Sequence, residues 1–156
     1  MNENNRLKKL LADHFDGEPW IEVQILASLQ GLTARDAAKN IQGLNSIWQI
    51  VHHMRCWRET LLRRLQGEQI PSPDNNYFEA IPVVSEKHWM EALEKLTRSQ
   101  QALLHYLSTD IDMDEKPPGS VYSRYELLQG VLQHDAYHLG QVILIRKLLL
   151  NRNTGK

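Results

Sequence analysis

Between residues 127 and 148 the chain reads Leu127, Val131, His134, His138, Gln141, Ile145, Leu148, in steps that alternate four and three. Those steps keep every one of the seven side chains on one stripe of an α-helix and on no single face of a strand. The aliphatics at both ends mark the stripe as the inward face of a helix in a bundle. Three polar residues then occupy consecutive inward positions. A buried polar group without a partner costs about 1–3 kcal/mol, so something inside the fold has to satisfy all three. This pattern fixes a helix and also requires a polar centre within it.

The rest of the chain is helical by the same criterion, and the breakers fall between the periodic segments. A first segment from about Asn2 to Gln30 is interrupted by Gly17-Glu18-Pro19, which divides it into a short helix ending near Phe15 and a second piece over 20–30. One further turn over 33–38 is capped by Thr33. Ser46 and Gln49 stand at capping-box spacing and open a long helix that Gly67 stops near Gln66. Residues 67–84 contain Pro71, Pro73 and Pro82 and form a long irregular connection. A third long helix runs from Ser85 to about Leu107, and Pro117-Pro118-Gly119 breaks the loop after it. Ser123 and Glu126 repeat the capping box before the last helix, which ends near Leu150. No alternating β-branched run marks a strand. The expectation is an all-α fold, a four-helix bundle forming a single domain over 1–156 with long connections between helices.

Composition excludes several functions. With 18 basic and 19 acidic side chains the net charge is −1, too little to hold a nucleic acid by its phosphates. The single cysteine, Cys56, cannot form an internal disulfide, which favours a reducing compartment. The start Met1-Asn2-Glu3-Asn4-Asn5-Arg6 is polar and resembles no secretory signal, and no apolar run approaches the roughly 20 residues that span a bilayer. A cytoplasmic protein without membrane or nucleic-acid partners is expected. The oddity is seven histidines.

Two of the seven are His134 and His138, at i and i+4 on the inward stripe, where one metal ion can be shared by both rings. Neutral imidazole suits zinc or nickel first, with iron or manganese as alternatives. Two ligands are too few, and the helix after Ser46 offers His52 and His53. Its stripe is Ile47, Ile50, Met54, Trp57 and Leu61. At 100° per residue His52 points about 180° from that stripe and His53 about 80°. His53 is therefore the inward candidate and His52 the solvated one. Three histidines leave room at the metal for water or substrate, as catalytic sites do. Such an ion lowers the pKa of a bound water or ionises a substrate thiol. Gln141 is the candidate to hydrogen-bond the reacting molecule. Asp135 is placed either behind a ligand histidine or on the surface, and Tyr137 at the edge of the bundle.

Ser46-Ile47-Trp48-Gln49-Ile50-Val51-His52-His53 and Gln133-His134-Asp135-Ala136-Tyr137-His138-Leu139-Gly140-Gln141 resemble the second-helix and last-helix signatures of the DinB/YfiT-like metalloenzyme family. The resemblance implies an up-down-down-up bundle, commonly a homodimer, with a divalent metal on three histidines that match His53, His134 and His138. Relatives with known activities include S-transferases that use low-molecular-weight thiols and a mycothiol-dependent isomerase. It thus implies a small-molecule substrate, with a thiol among the candidates.

Other readings fail on residue type. His134-Asp135-Ala136-Tyr137-His138 has aspartate where a zinc protease has its glutamate. No glutamate is followed three residues later by histidine, as a di-iron bundle requires. Asp110, Asp112 and Asp114 start like a calcium loop, but Glu115 and Val121 replace its glycine and its last glutamate. Cys56 is expected to pack inertly, His88 and His105 to be solvated, and His14 to lie near the pocket mouth or simply end its helix. Trp20, Trp48, Trp57 and Trp89 are core or interface candidates. Two functions fit: a metal-dependent enzyme, thiol S-transferase or hydrolase, and a non-catalytic dimeric bundle that binds metal or a small ligand, in a stress response for instance.

Overall fold

The computed structural model describes residues 2–41 and 43–153, with the backbone alone for 151–153. Six helices and no strand occur among them: α1 (Glu3–Phe15), α2 (Ile25–Leu29), α3 (Ala34–Ala38), α4 (Ile47–Leu65), α5 (Glu86–Tyr106) and α6 (Arg124–Asn153). Local chemistry sets most of the boundaries. Asn2 caps α1 by accepting from the Asn5 N–H, and Thr33 caps α3 through the Asp36 N–H. At α4 the box is reciprocal: Ser46 Oγ accepts from Gln49 N at 3.2 Å and Gln49 Oε1 accepts from Ser46 N at 2.9 Å. Ser123 and Glu126 do the same at α6, at 3.2 and 2.7 Å. Gly67, at φ +98°, turns the chain out of α4.

The helix expected over 20–30 forms only as the five residues of α2. Glu22 N donates to Pro19 O at 2.9 Å, and Glu22 takes a left-handed φ of +60°. That turn cannot continue as a helix. Trp20 stands 95% exposed beside it, so it is not a core residue.

Two apolar clusters hold the long helices together. One joins Phe15 of α1, Ile47, Ile50 and Met54 of α4, Trp89 and Leu96 of α5, and Leu139, Val142 and Ile145 of α6. The other joins Leu7 and Leu11, Leu61 and Leu65, Leu103 and Leu107, and Leu128 and Val131. Each such side chain, fully buried, contributes about 1.5–3 kcal/mol. α4 packs on α5 and α6, α1 on the same two helices, and α2 and α3 close one end. Between the clusters lies a layer of buried polar side chains that includes Arg58, Gln100, Asp135, His53 and His138.

The inward face of α6 is turned from the expected stripe. Its buried residues are Leu128, Val131, Asp135, His138, Leu139, Val142, Ile145 and Leu149, while Leu148 is 37% exposed and Leu127, His134 and Gln141 are half-buried. Periodicity left Asp135 open between a place behind a ligand histidine and the surface, since it sits about 100° from His134 on the helix. Arg58 neutralises it inside, and the face rotates to admit it.

Candidate metal centre

α4 contributes His53 and α6 contributes His134 and His138, and one ring nitrogen from each lies within 4.8 Å of the others. His53 Nε2 is 2.8 Å from His134 Nε2. The opposite nitrogen of every ring meets an acceptor. His53 Nδ1 donates to the Asn76 carbonyl at 2.6 Å, His134 Nδ1 to Asp135 Oδ1 at 3.2 Å, and His138 Nδ1 to Gln141 Oε1 at 2.7 Å. These acceptors assign the Nδ1–H tautomer to all three rings, and each Nε2 then carries a lone pair.

The connection after α4 closes over His53. Asn76 and Tyr77 both adopt left-handed backbone, at φ +50° and +58°, which costs roughly 1–2 kcal/mol for Tyr77 and less for asparagine, whose side chain tolerates that region. Hydrogen bonds offset that cost: Asn75 Oδ1 accepts from Tyr77 N at 3.0 Å, Tyr77 Oη pairs with Thr60 Oγ1 at 2.7 Å, and Asn76 Oδ1 accepts from Trp57 Nε1 at 2.9 Å. The strained turn aims the Asn76 carbonyl at His53 and lays Phe78 flat on its ring, with centroids 4.1 Å apart.

Behind His134 stands a dry ion pair. Arg58 Nε and Nη2 donate to Asp135 Oδ2 at 2.9 and 2.6 Å, and the two side chains are 1% and 0% exposed. Arg58 Nη1 donates to Gln100 Oε1 at 2.9 Å, and Gln100 Nε2 donates to the Leu11 carbonyl at 2.9 Å. All four long helices therefore fix one carboxylate, whose second oxygen fixes His134. Burial pushes the Asp135 carboxyl up, but Arg58 and the His134 hydrogen bond outweigh it and hold the group below the ordinary carboxylate range. Burial lowers His53 to about 4, against the Asn76 hydrogen bond, and lowers His138 with the help of His134. Both rings are neutral at pH 7, the form that binds a metal.

The sequence-derived residues divide clearly. His53, His134 and His138 come together, and His52 does not join them: it is half-buried, 3.4 Å from Cys56 Sγ and 3.5 Å from Glu79. Cys56 is buried, takes a hydrogen bond from Arg55 at 3.0 Å, and has its thiol pKa raised by burial. Asp135 takes the inner of its two expected places. Gln141 holds His138 and donates to Tyr137 Oη at 2.9 Å, with Tyr137 63% exposed at the edge. His14 is buried beside Asp135, His88 and His105 are exposed, Trp48 and Trp89 are core, and Trp57 is half-buried against the cluster. Sequence reasoning missed Arg58, Asn76, Phe78 and Gln100. For Arg58 a signal existed, since Met54, Arg58, Leu61 and Leu65 form one stripe. Gln100 stands in the same kind of stripe, with Leu96, Leu103 and Leu107; for Asn76 and Phe78 no signal existed.

The donor set fits a divalent ion. Three imidazoles, each anchored by its Nδ1, bring a ring nitrogen apiece towards one region. A cavity of about 750 Å³ opens beside His134 between α4 and α6. The class is thus an all-helical protein with a three-histidine cluster that could hold a metal ion. The DinB superfamily model matches residues 22–142, and the chain belongs to that superfamily. No curated protein and no solved structure matches it. No helix among the described residues is long and apolar enough to cross a membrane.

Proposed function

We propose that this chain is a divalent-metal-binding protein and a metal-dependent enzyme, a thiol S-transferase or a hydrolase, in which His53, His134 and His138 hold zinc or nickel. The observation that carries the reading is the common tautomer: three outer N–H groups are each spent on an acceptor, and three Nε2 atoms are left for one ion. When bound, such an ion supplies Lewis acidity towards a thiol or a water. The chain's own residues do the rest. Asp135 and Asn76 lock two rings, Phe78 shields His53 from solvent, and Gln141 positions His138. The wide cavity beside His134 favours the enzyme over a non-catalytic binding bundle, for which a closed site would suffice.

The reading includes one domain whose long helices α1, α4, α5 and α6 run up-down-down-up. Its support is the pairing of the two clusters. The N-terminal part of α4 shares a cluster with the N-terminal part of α5 and the C-terminal part of α6, and the end of α1 lies in that same cluster. It extends to a homodimer in the cytoplasm that acts on a small molecule, with one cysteine and hence no internal disulfide as the support for the compartment.

Screening the metal-loaded protein for conjugation of low-molecular-weight thiols to electrophiles, and for ester and amide hydrolysis, tests the activity. Turnover that chelation removes and metal restores is expected. Turnover unchanged by chelation, or unchanged in His138→Ala, contradicts the reading.

A further inference from the structure

The groove that begins at His134 runs along α4 and α6 to Tyr122. Its volume of about 750 Å³ falls within the roughly 300–1,000 Å³ of small-molecule sites. Trp57, Leu61, Leu127 and Val131 give it apolar walls. Gly130 lies on the exposed surface of α6 in the groove, and a Cβ there would meet no atom within 4 Å. Any larger side chain at that position would stand in the groove itself. Glycine is a poor helix former; α6 carries two, Gly130 in the groove and Gly140 outside it.

Two charged side chains line this space, Glu126 and Arg64. Glu126 is committed to the Ser123 N–H of its capping box. Arg64 has no carboxylate partner among the described residues. Its Nε and Nη2 donate to the Ile70 carbonyl at 3.0 and 2.6 Å, with Ser72 Oγ at 3.3 Å, and Nη1 remains for another acceptor. Its guanidinium carbon sits 5.4 Å from the centroid of the Trp57 ring, and that ring is 6.4 Å from the His134 ring, so the charge is held within about 12 Å of His134. A guanidinium fixed by a backbone carbonyl against an indole face, with its counter-charge missing, is organised in advance for an anion.

We infer that this groove takes, as substrate of the centre proposed above, a small molecule with an aromatic or branched apolar body and one anionic group. The anion sits on Arg64 and the reacting end lies at His134. The assignment of a reacting end rests on the metal-centre reading; the ligand class rests on the groove alone.

Two probes separate the charge from the body. The full-length protein is titrated with 8-anilinonaphthalene-1-sulfonate and with its uncharged relative N-phenyl-1-naphthylamine, and the metal content of the same preparations is measured. Arg64→Gln is expected to weaken the sulfonate probe by about tenfold or more and to leave the neutral probe within about twofold. Arg64→Lys, which keeps charge without the fork, should fall between the two. Gly130→Leu should weaken both probes by about tenfold or more, with helix content and melting temperature retained. Equal sulfonate binding by wild type and Arg64→Gln, or undiminished binding of both probes by Gly130→Leu, overturns the inference. Metal content keeps the two claims apart. The expected probe pattern in protein that takes up no divalent ion upholds the groove and removes the centre. Metal-loaded protein whose probes ignore Arg64 and Gly130 keeps the centre and removes the groove.

Discussion

His53, His134 and His138 are each held by a different kind of acceptor: a backbone carbonyl, a buried carboxylate and a side-chain amide. Of these the carboxylate is the most expensive, because Asp135 and Arg58 are both fully out of water. Breaking such a pair from one side costs about 3–5 kcal/mol. Asp135→Asn leaves Arg58 charged and unmatched, so a melting temperature lower by about 10 °C is expected by calorimetry, and a drop of only a degree or two would contradict the buried-pair account. Acid acts at the same scale. In metal-free protein the unfolded state protonates His53 near 6.5, whereas the native state waits until about 4. The unfolded state therefore binds more protons in that window, and stability falls as pH drops through it, by about 3 kcal/mol from His53. His14 and His138 are shifted the same way and add to the loss. Urea midpoints at pH 7.5 and pH 4.5 on chelated protein check this; equal midpoints would refute it. The three histidines were legible in the sequence because the i, i+4 spacing and the 80° offset of His53 are properties of any helix. Asp135 stayed open between two places and the burial of Arg58 was overlooked despite its stripe with Met54, Leu61 and Leu65, since each charge hides its burial in the other.

Helix ends were readable wherever a side chain writes the boundary. Ser46 with Gln49, Ser123 with Glu126, and Thr33 all cap where expected. The failure between Trp20 and Gln24 has a backbone origin: Glu22 enters the left-handed region, and no residue type announces that for glutamate. The turn at Asn76 and Tyr77 was hidden only in part, since asparagine tolerates the left-handed region and tyrosine does not announce it, and it holds the carbonyl that orients His53. Gly67 is the opposite case, since glycine is the residue that a positive φ requires. Gly67→Ala meets only Pro118 at 3.7 Å, so its cost is the backbone term, about 1–2 kcal/mol. Chemical denaturation should show that loss with metal content unchanged. A neutral substitution would mean that α4 does not end through this turn.

Across the whole molecule, the two apolar clusters supply stability at either end and leave the middle layer to polar chemistry. Arg58 on α4, Gln100 on α5, the Leu11 carbonyl on α1 and Asp135 on α6 join all four long helices in that layer. The histidines meet at its α4–α6 side, beside the open groove. Sequence periodicity could find the helices and the polar stripe of α6, but not the rotation of α6 that sets Asp135 inward, because that depends on a partner 77 residues away. The proposed centre has three histidines on two helices holding one ion. Elemental analysis of purified protein and of His134→Ala tests it most directly. About one divalent ion per chain is expected in the wild type and close to none in the variant with its fold intact. Full metal content in His134→Ala, or none in wild type after incubation with zinc and nickel, would contradict it.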